Sequence, residues 1–196
     1  MIDYIKGEIT ELNPTYAVLE TGGIGYFINI SLPAYSTLNG QKTTKLYVYE
    51  VIREDAHSLF GFLHPTDRQL FLMLISVSGI GANTARMIMS SYSVPEIQQM
   101  IATENAVALN AIKGIGTKTA QRIIIDLKDK ILKLHVGSGT ENLTLQASNE
   151  TRDEAISALI MLGFAANISQ KAVDAILKSQ PDMKVELLIK LALKSI

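Results

Sequence analysis

The chain has 196 residues, 47% of them hydrophobic, and carries a formal net charge of −1 with no cysteine. That length suits one or two ordinary domains or three small ones. The missing cysteines exclude disulfides and thiolate metal sites and permit a reducing cytosol, while the balanced charge excludes attachment to nucleic acid by bulk charge alone, so any such function must come from local arrangement.

The opening stretch, "MIDYIKGEIT", contains acids and no long apolar core, so no secretory signal is expected there. No run approaches the ~18–20 apolar residues needed to span a bilayer. Residues 1–63 read as β: "YIKGEITEL", "YAVLETG", "GYFINIS", "KLYVYEVI" and "HSLFGFL" are short, β-branched or aromatic, and partly alternating. "TGGIG" (Thr21–Gly25) and "LNGQ" (Leu38–Gln41) supply turn signals. Short strands this closely spaced predict a small closed barrel, because closure hides the sheet edges.

Over residues 64–135 the period becomes helical. "DRQLFLMLISV", "TARMIMSSY", "VPEIQQMIAT", "ENAVALNAI" and "TAQRIIIDLKDKILKL" place apolar residues at i, i+3 and i+4. Pro95 suits a first helical turn after Ser93. Residues 136–150, "VGSGTENLTLQASNE", are rich in Gly, Ser, Thr and Asn and predict a flexible linker. Residues 151–196 then predict a small three-helix bundle, opened by the capping-box pattern Thr151-x-x-Glu154 and punctuated by Gly163 and Pro181. Its apolar residues include Ile160, Leu162, Leu187 and Leu193, more than so small a bundle can hide, so one apolar patch is expected to face a partner. The fold class is therefore multidomain α+β.

Charge is shared unevenly. Residues 1–64 hold 4 basic and 7 acidic side chains, residues 65–135 hold 8 and 5, and residues 136–196 hold 6 and 7. The one basic segment contains a duplication. "VSGIGANTARMIM" (Val77–Met89) and "IKGIGTKTAQRII" (Ile112–Ile124) agree at 6 of 13 positions: Gly79/Gly114, Ile80/Ile115, Gly81/Gly116, Thr84/Thr119, Ala85/Ala120 and Ile88/Ile123. Each copy reads as helix, tight Gly-x-Gly turn, helix. Glycine permits positive φ and close backbone approach. The central isoleucine can turn inward to pin the hairpin. The N–H groups of the turn and of the next helix's first turn then point outward, an array that holds an anionic oxygen without needing net charge. Thr84, Thr119, Lys118 and Arg122 stand near enough to add donors. A phosphodiester is the natural ligand, and since nothing here reaches a base edge, recognition should not depend on sequence. The plainer reading, in which Gly-x-Gly only caps a helix and turns the chain, fits a single copy better than a matched pair. The G-x-x-x-x-G-K-[ST] spacing of a nucleotide loop is absent.

"SGIGANTA" and "KGIGTKTAQRI" resemble the helix-hairpin-helix DNA-binding motif. A tandem pair behind a small OB-like barrel containing "VIREDAHSLFGF", followed by a linker and a helical tail, resembles over its whole length the RuvA family of Holliday-junction-binding proteins. The resemblance implies a non-catalytic, cofactor-free, cytoplasmic protein of recombination and repair. It would bind four-way junction DNA as a homotetramer or a pair of tetramers. Residues 151–196 would recruit a RuvB-type hexameric ATPase, and a junction resolvase is a further candidate partner. The implied phosphate-binding residues are Gly79, Gly81, Asn83, Thr84 and Arg86 in the first motif, and Gly114, Gly116, Thr117, Lys118, Thr119 and Arg122 in the second. Asn83 and Thr117 stand where relatives are expected to carry lysines, and Arg86 is the candidate to compensate. Glu54 and Asp55 in "REDAH" read from the residues alone as a solvated turn; the resemblance makes them an acidic pin at the junction's centre, repelling phosphates.

Two other classes fit the residues less well. A helix-hairpin-helix glycosylase or nuclease needs a catalytic acid after a hairpin, whereas Asp126 lies too far along. A single-strand binder would use Tyr16, Tyr26 and Phe27 of the barrel, but these alternate like core residues in an acidic segment. His57 and His64 lack neighbours at metal-ligand spacing.

Overall fold

The computed structural model describes residues 1–136, 143–181 and 183–196, with side chains described outside 132–150 and 182. The chain divides into two units, Met1–Ser138 and Gly139–Ile196.

In the first unit, strands β1 (Tyr4–Asn13), β2 (Tyr16–Thr21), β3 (Ile24–Asn29), β4 (Thr43–Ile52) and β5 (His57–Phe62) close into a barrel in the order β1-β2-β3-β5-β4. The ladders are antiparallel except β3–β5, which closes the barrel in parallel and pairs Ile28 with Leu59 and Asn29 with Phe60. Alternation sends Ile5, Leu19, Ile28, Leu46, Val48 and Leu59 into one buried cluster. A short helix α1 (Leu32–Leu38), not predicted from the sequence, adds Ala34 and Leu38 to that core. Its signals are Pro33 in the first turn and Gly40 at φ 84° just past the end.

Five helices follow: α2 (Pro65–Ser76), α3 (Ala82–Ser91), α4 (Val94–Ala102), α5 (Ala106–Asn110) and α6 (Thr117–Val136). Pro95 does sit in the first turn of α4, where the Ser93 N–H donates to Glu96 Oε2 at 2.7 Å.

The sequence reading separates the barrel from these helices, but the structure packs them as one unit, and β5 is the reason. Its Leu59 faces the barrel interior, while Phe60 and Phe62, one residue out of phase, join the helical core. Phe71 of α2 lies 5.4 Å from the Phe60 ring, 4.9 Å from Phe62 and 5.7 Å from Tyr49. Burying a side chain of that size contributes about 2–3 kcal/mol. Arg68 of α2 reinforces the joint: its guanidinium donates to the backbone oxygens of Asp3 (2.8 Å) and Val48 (3.2 Å) and pairs with the Asp3 carboxylate at 2.7 Å. The hairpins below are thus anchored to the barrel wall.

The second unit holds helices α7 (Leu143–Met161), α8 (Ala166–Ser179) and α9 (Val185–Ser195) around Ala155, Ile156, Leu159, Val173, Met183, Leu188 and Ala192. Arg152 and Asp174 join α7 to α8 through paired hydrogen bonds of 2.6 and 3.0 Å. These bonds hold the Asp174 carboxyl below its ordinary range. The boundary differs from the predicted linker at 136–150. Val136 ends α6, 137–142 lie outside the described residues, and the backbone is already helical at Leu143. Leu143, Leu145, Gln146, Ala147 and Glu150 are good helix formers, and they outweigh the polar residues that suggested a loop. Thr151 consequently lies inside a helix rather than at its cap.

Candidate nucleic-acid interface

The two Gly-Ile-Gly stretches form the same backbone structure. In the first hairpin, between α2 and α3, Val77 N–H donates to Leu74 O, Ile80 N–H to Val77 O and Ala85 N–H to Gly81 O, at 3.1, 3.0 and 2.9 Å. In the second, between α5 and α6, Ile112 donates to Leu109, Ile115 to Ile112 and Ala120 to Gly116, at 3.2, 3.0 and 2.9 Å. Gly79 and Gly114 adopt φ of 92° and 90°, a region where a side chain is strained. Ile80 and Ile115 are only 5% and 4% exposed, so both turn inward as the pattern predicts. The hairpins are neighbours: a Cβ added to Gly114 would come within 3.3 Å of Met87 Cε on α3.

The second glycine of each pair has a different status. Gly81 has φ −89°, which any residue adopts, and a Cβ at Gly81 or Gly116 would meet nothing within 4 Å. No contact among the described residues requires glycine there. Its effect is to leave the first turns of α3 and α6 open to an approaching group. No side chain caps α3 among the described residues, which leaves its first N–H groups without a side-chain acceptor at the positive end of the helix dipole.

Around this common frame the side chains diverge. On the second hairpin Thr117, Lys118 and Arg122 are exposed and Thr119 is half-buried. Lys113, passed over in the sequence reading, is exposed beside Gly114; its signal was its place directly before the Gly-Ile-Gly. Among the described residues, Lys113, Lys118 and Arg122 take part in no ion pair. On the first hairpin Asn83 is exposed and Thr84 half-buried. Arg86, expected to compensate for the missing lysine, has another task. Its Nη1 donates to Thr15 O at 2.9 Å and to Asn29 Oδ1 at 3.1 Å, which fixes α3 to the barrel. Burial there lowers its pKa from the ordinary arginine value.

Glu54 and Asp55 lie at the tip of the β4–β5 hairpin, which is closed by Arg53 N–H donating to Ala56 O at 2.8 Å. Arg53, Glu54 and Asp55 are all exposed. A groove of about 300 Å³ separates the base of this hairpin from the N-terminal turn of α3, with Arg53, Ser58 and Phe60 on one side and Gly81, Asn83 and Thr84 on the other. Nothing in the sequence pattern announced that juxtaposition.

His57 Nε2 lies 3.1 Å from Glu50 Oε2. The Glu50 carboxylate is held below its ordinary pKa, first by the Ile2 N–H and then by His57. His64 precedes α2, and its N–H donates to Asp67 Oδ2 at 3.2 Å. Among the described residues no group of His, Asp and Glu could hold a metal ion. Of the aromatics weighed for stacking, Tyr16 and Phe27 stack on each other, ring centroids 4.4 Å apart, with Phe27 54% exposed. Phe27 therefore does not face the core, contrary to the alternation reading. Among the described residues no helix is long and apolar enough to cross a membrane.

A closed five-stranded barrel that shares one strand with a matched pair of hairpins defines a barrel-plus-tandem helix-hairpin-helix protein. Family models match the chain in the same order: RuvA N terminal domain over residues 1–61, SAM-like helix-hairpin-helix tandem over 71–129, and RuvA, C-terminal domain over 150–196. The chain belongs to the RuvA family. It is 57% identical to a protein of Bacteroides fragilis over 199 residues, covering 99% of both chains. It is 56% identical to one of Bacteroides thetaiotaomicron over the same length and coverage. A protein of Christiangramia forsetii is 44% identical over 196 residues and 100% of both chains. All three are named Holliday junction branch migration complex subunit RuvA.

Proposed function

We propose that this chain is the DNA-binding subunit of a Holliday junction branch migration complex, without catalytic activity of its own. The carrying observation is the pair of hairpins with matching hydrogen bonds, each with a second glycine that no contact among the described residues requires and that leaves room for a phosphate at the helix start. Full-length similarity to proteins bearing that name supports the same reading. Each protomer would apply Gly79, Gly81, Asn83 and Thr84, and Gly114, Gly116, Thr117, Lys118, Thr119 and Arg122, to the backbone of one duplex arm. Arg86 holds the first hairpin in place. Four arms call for four copies, so a cyclic homotetramer matches the substrate, alone or as a facing pair. Glu54 and Asp55 would gather near the axis as an acidic pin. The setting is cytoplasmic, and a junction resolvase would act on the same complex.

The helices of residues 151–196 are the element that recruits a RuvB-type hexameric ATPase. Ile160, Met161, Leu162, Leu187 and Leu193 are between 42% and 88% exposed, more apolar surface than a tail without a partner needs. Gel shifts with four-way junction, duplex and single strand, at two salt concentrations, test the binding claim. The expected order is junction above duplex above single strand; equal binding to all three overturns it. A chain ending at Ser138 should keep junction affinity within about threefold and lose ATPase-driven migration, since local contacts set the first and tethering the second. Migration at the full rate would remove the tail from the coupling.

A further inference from the structure

The second hairpin carries three exposed cations, and the duplicated alignment sets each against a neutral residue of the first: Lys113 against Ser78, Lys118 against Asn83, Arg122 against Met87. Between Val77 and Tyr92 the one basic residue is Arg86, and its guanidinium is bonded to Thr15 and Asn29 of the barrel. The first hairpin thus has the backbone of a phosphate site and no free cation on its own helices.

We propose that Arg53 supplies that cation, reaching across the groove from the β4–β5 hairpin to a phosphate held at the first turn of α3. The inference rests on the junction-binding reading above. Arg53 lines the groove opposite Gly81, Asn83 and Thr84. Its side chain is exposed and makes no hydrogen bond or ion pair among the described residues, although Glu54 and Asp55 follow it directly in sequence. The planar guanidinium presents its donors as a fork that matches two phosphate oxygens, whereas helix N–H groups supply single donors. A diester oxygen in the groove would meet both. The β4–β5 hairpin then has two opposed roles in adjacent residues: Arg53 attracts backbone to the first helix-hairpin-helix turn, and Glu54 and Asp55 repel it beyond that point.

The test uses the full-length chain and a fluorescent four-way junction, with anisotropy titrations from low to moderate salt. Arg53→Gln should weaken binding about fivefold for each engaged protomer and reduce the slope of log affinity against log salt by about 0.9 per protomer, as one lost phosphate contact requires. Arg53→Lys should keep most of the slope. Asn83→Lys, which places charge on the helix side of the same groove, should restore slope and affinity in the Arg53→Gln background. A role confined to folding or to contacts between protomers predicts no such rescue, and light scattering reads the mass of every variant. A slope unchanged in Arg53→Gln, a rescue that fails, or a smaller assembly in Arg53→Gln overturns the assignment of Arg53 while leaving the junction-binding reading intact. Failure of the unmodified chain to prefer the junction overturns both.

Discussion

The two helix-hairpin-helix turns share their hydrogen bonds, their glycine φ angles and their buried isoleucine, and differ in nearly everything charged. The second carries its own charge: Lys113, Lys118 and Arg122 are exposed on it, within six residues of Gly116 in the chain. Its following helix α6 is tied to the turn before α5 by the Lys128–Glu104 ion pair. The first is built into the barrel. Arg86 bonds to Thr15 and Asn29, and Ser90 Oγ accepts from Leu32 N–H at 3.2 Å, so α3 spends polar side chains on its anchorage. The aligned position in the second hairpin is Gln121, which is exposed. Duplication therefore preserved what only backbone can do, and let side chains specialise: one hairpin attracts phosphate with its own charge, the other is held rigidly beside a strand hairpin that supplies charge of both signs.

The largest effect should come from blocking the shared feature. Gly116→Asn introduces a neutral residue that ranks among the best helix N-caps, so the fold should survive. Its side chain would occupy the open approach and take up the first-turn N–H groups. Junction affinity should fall at least about tenfold per engaged protomer, with thermal unfolding within a few degrees of the unmodified chain. Gly114→Val should behave differently, because φ 90° is strained for valine: it should cost about 1–3 kcal/mol in denaturant unfolding. Equal stability of the two variants, or undiminished binding in Gly116→Asn, breaks the distinction between a glycine kept for the chain and one kept for the ligand.

A smaller effect should separate the hairpins by charge. Lys118→Ala should weaken junction binding about fivefold per protomer and flatten the salt slope by about 0.9, whereas Asn83→Ala, at the aligned position, should leave the slope unchanged. Equal slopes in the two variants would mean that the hairpins are electrostatically equivalent and that the sequence divergence carries no weight.

Much of this frame was legible in the sequence, because it is written in local pattern. Period-two alternation located the strands, the shift to helical period located the helices, and the repeated Gly-Ile-Gly forecast the inward isoleucines. What stayed hidden depends on residues far apart in the chain. Arg86 read as a phosphate ligand since nothing local shows that Thr15 and Asn29, 71 and 57 residues earlier, fold against it. The wall that the barrel shares with the helices turned on the two faces of β5, where Leu59 enters one buried cluster and Phe60 and Phe62 the other, a pattern that also fits an ordinary hydrophobic strand. Helix α1 was too short to show a period. The groove beside Arg53 joins a strand end to a helix start and has no signature in either segment alone.

The smallest effect concerns the acids beside that groove, and it tests whether the first hairpin's surroundings act as a filter. Glu54 and Asp55 are exposed at the tip of the β4–β5 hairpin and make no ion pair among the described residues, so their charge faces whatever approaches. Exposed charges are well screened, and each repulsion is individually weak. Four copies near one axis would add. A plain duplex has no open centre and would have to run over the acids, whereas a junction can spread its arms around them. Glu54→Gln with Asp55→Asn keeps side-chain shape and removes the charge. Duplex binding should then rise more than junction binding, narrowing the ratio of their dissociation constants about two- to threefold at low salt. Raising the salt should narrow the same ratio for the unmodified chain, because screening weakens the same repulsion. The second hairpin offers a contrast: Lys118→Ala lowers attraction to both DNA forms, and more for the junction because more protomers engage it, so it should not raise duplex binding as the double neutralisation does. If the double neutralisation leaves both duplex binding and the ratio unmoved, the acidic tip is only a solvated turn.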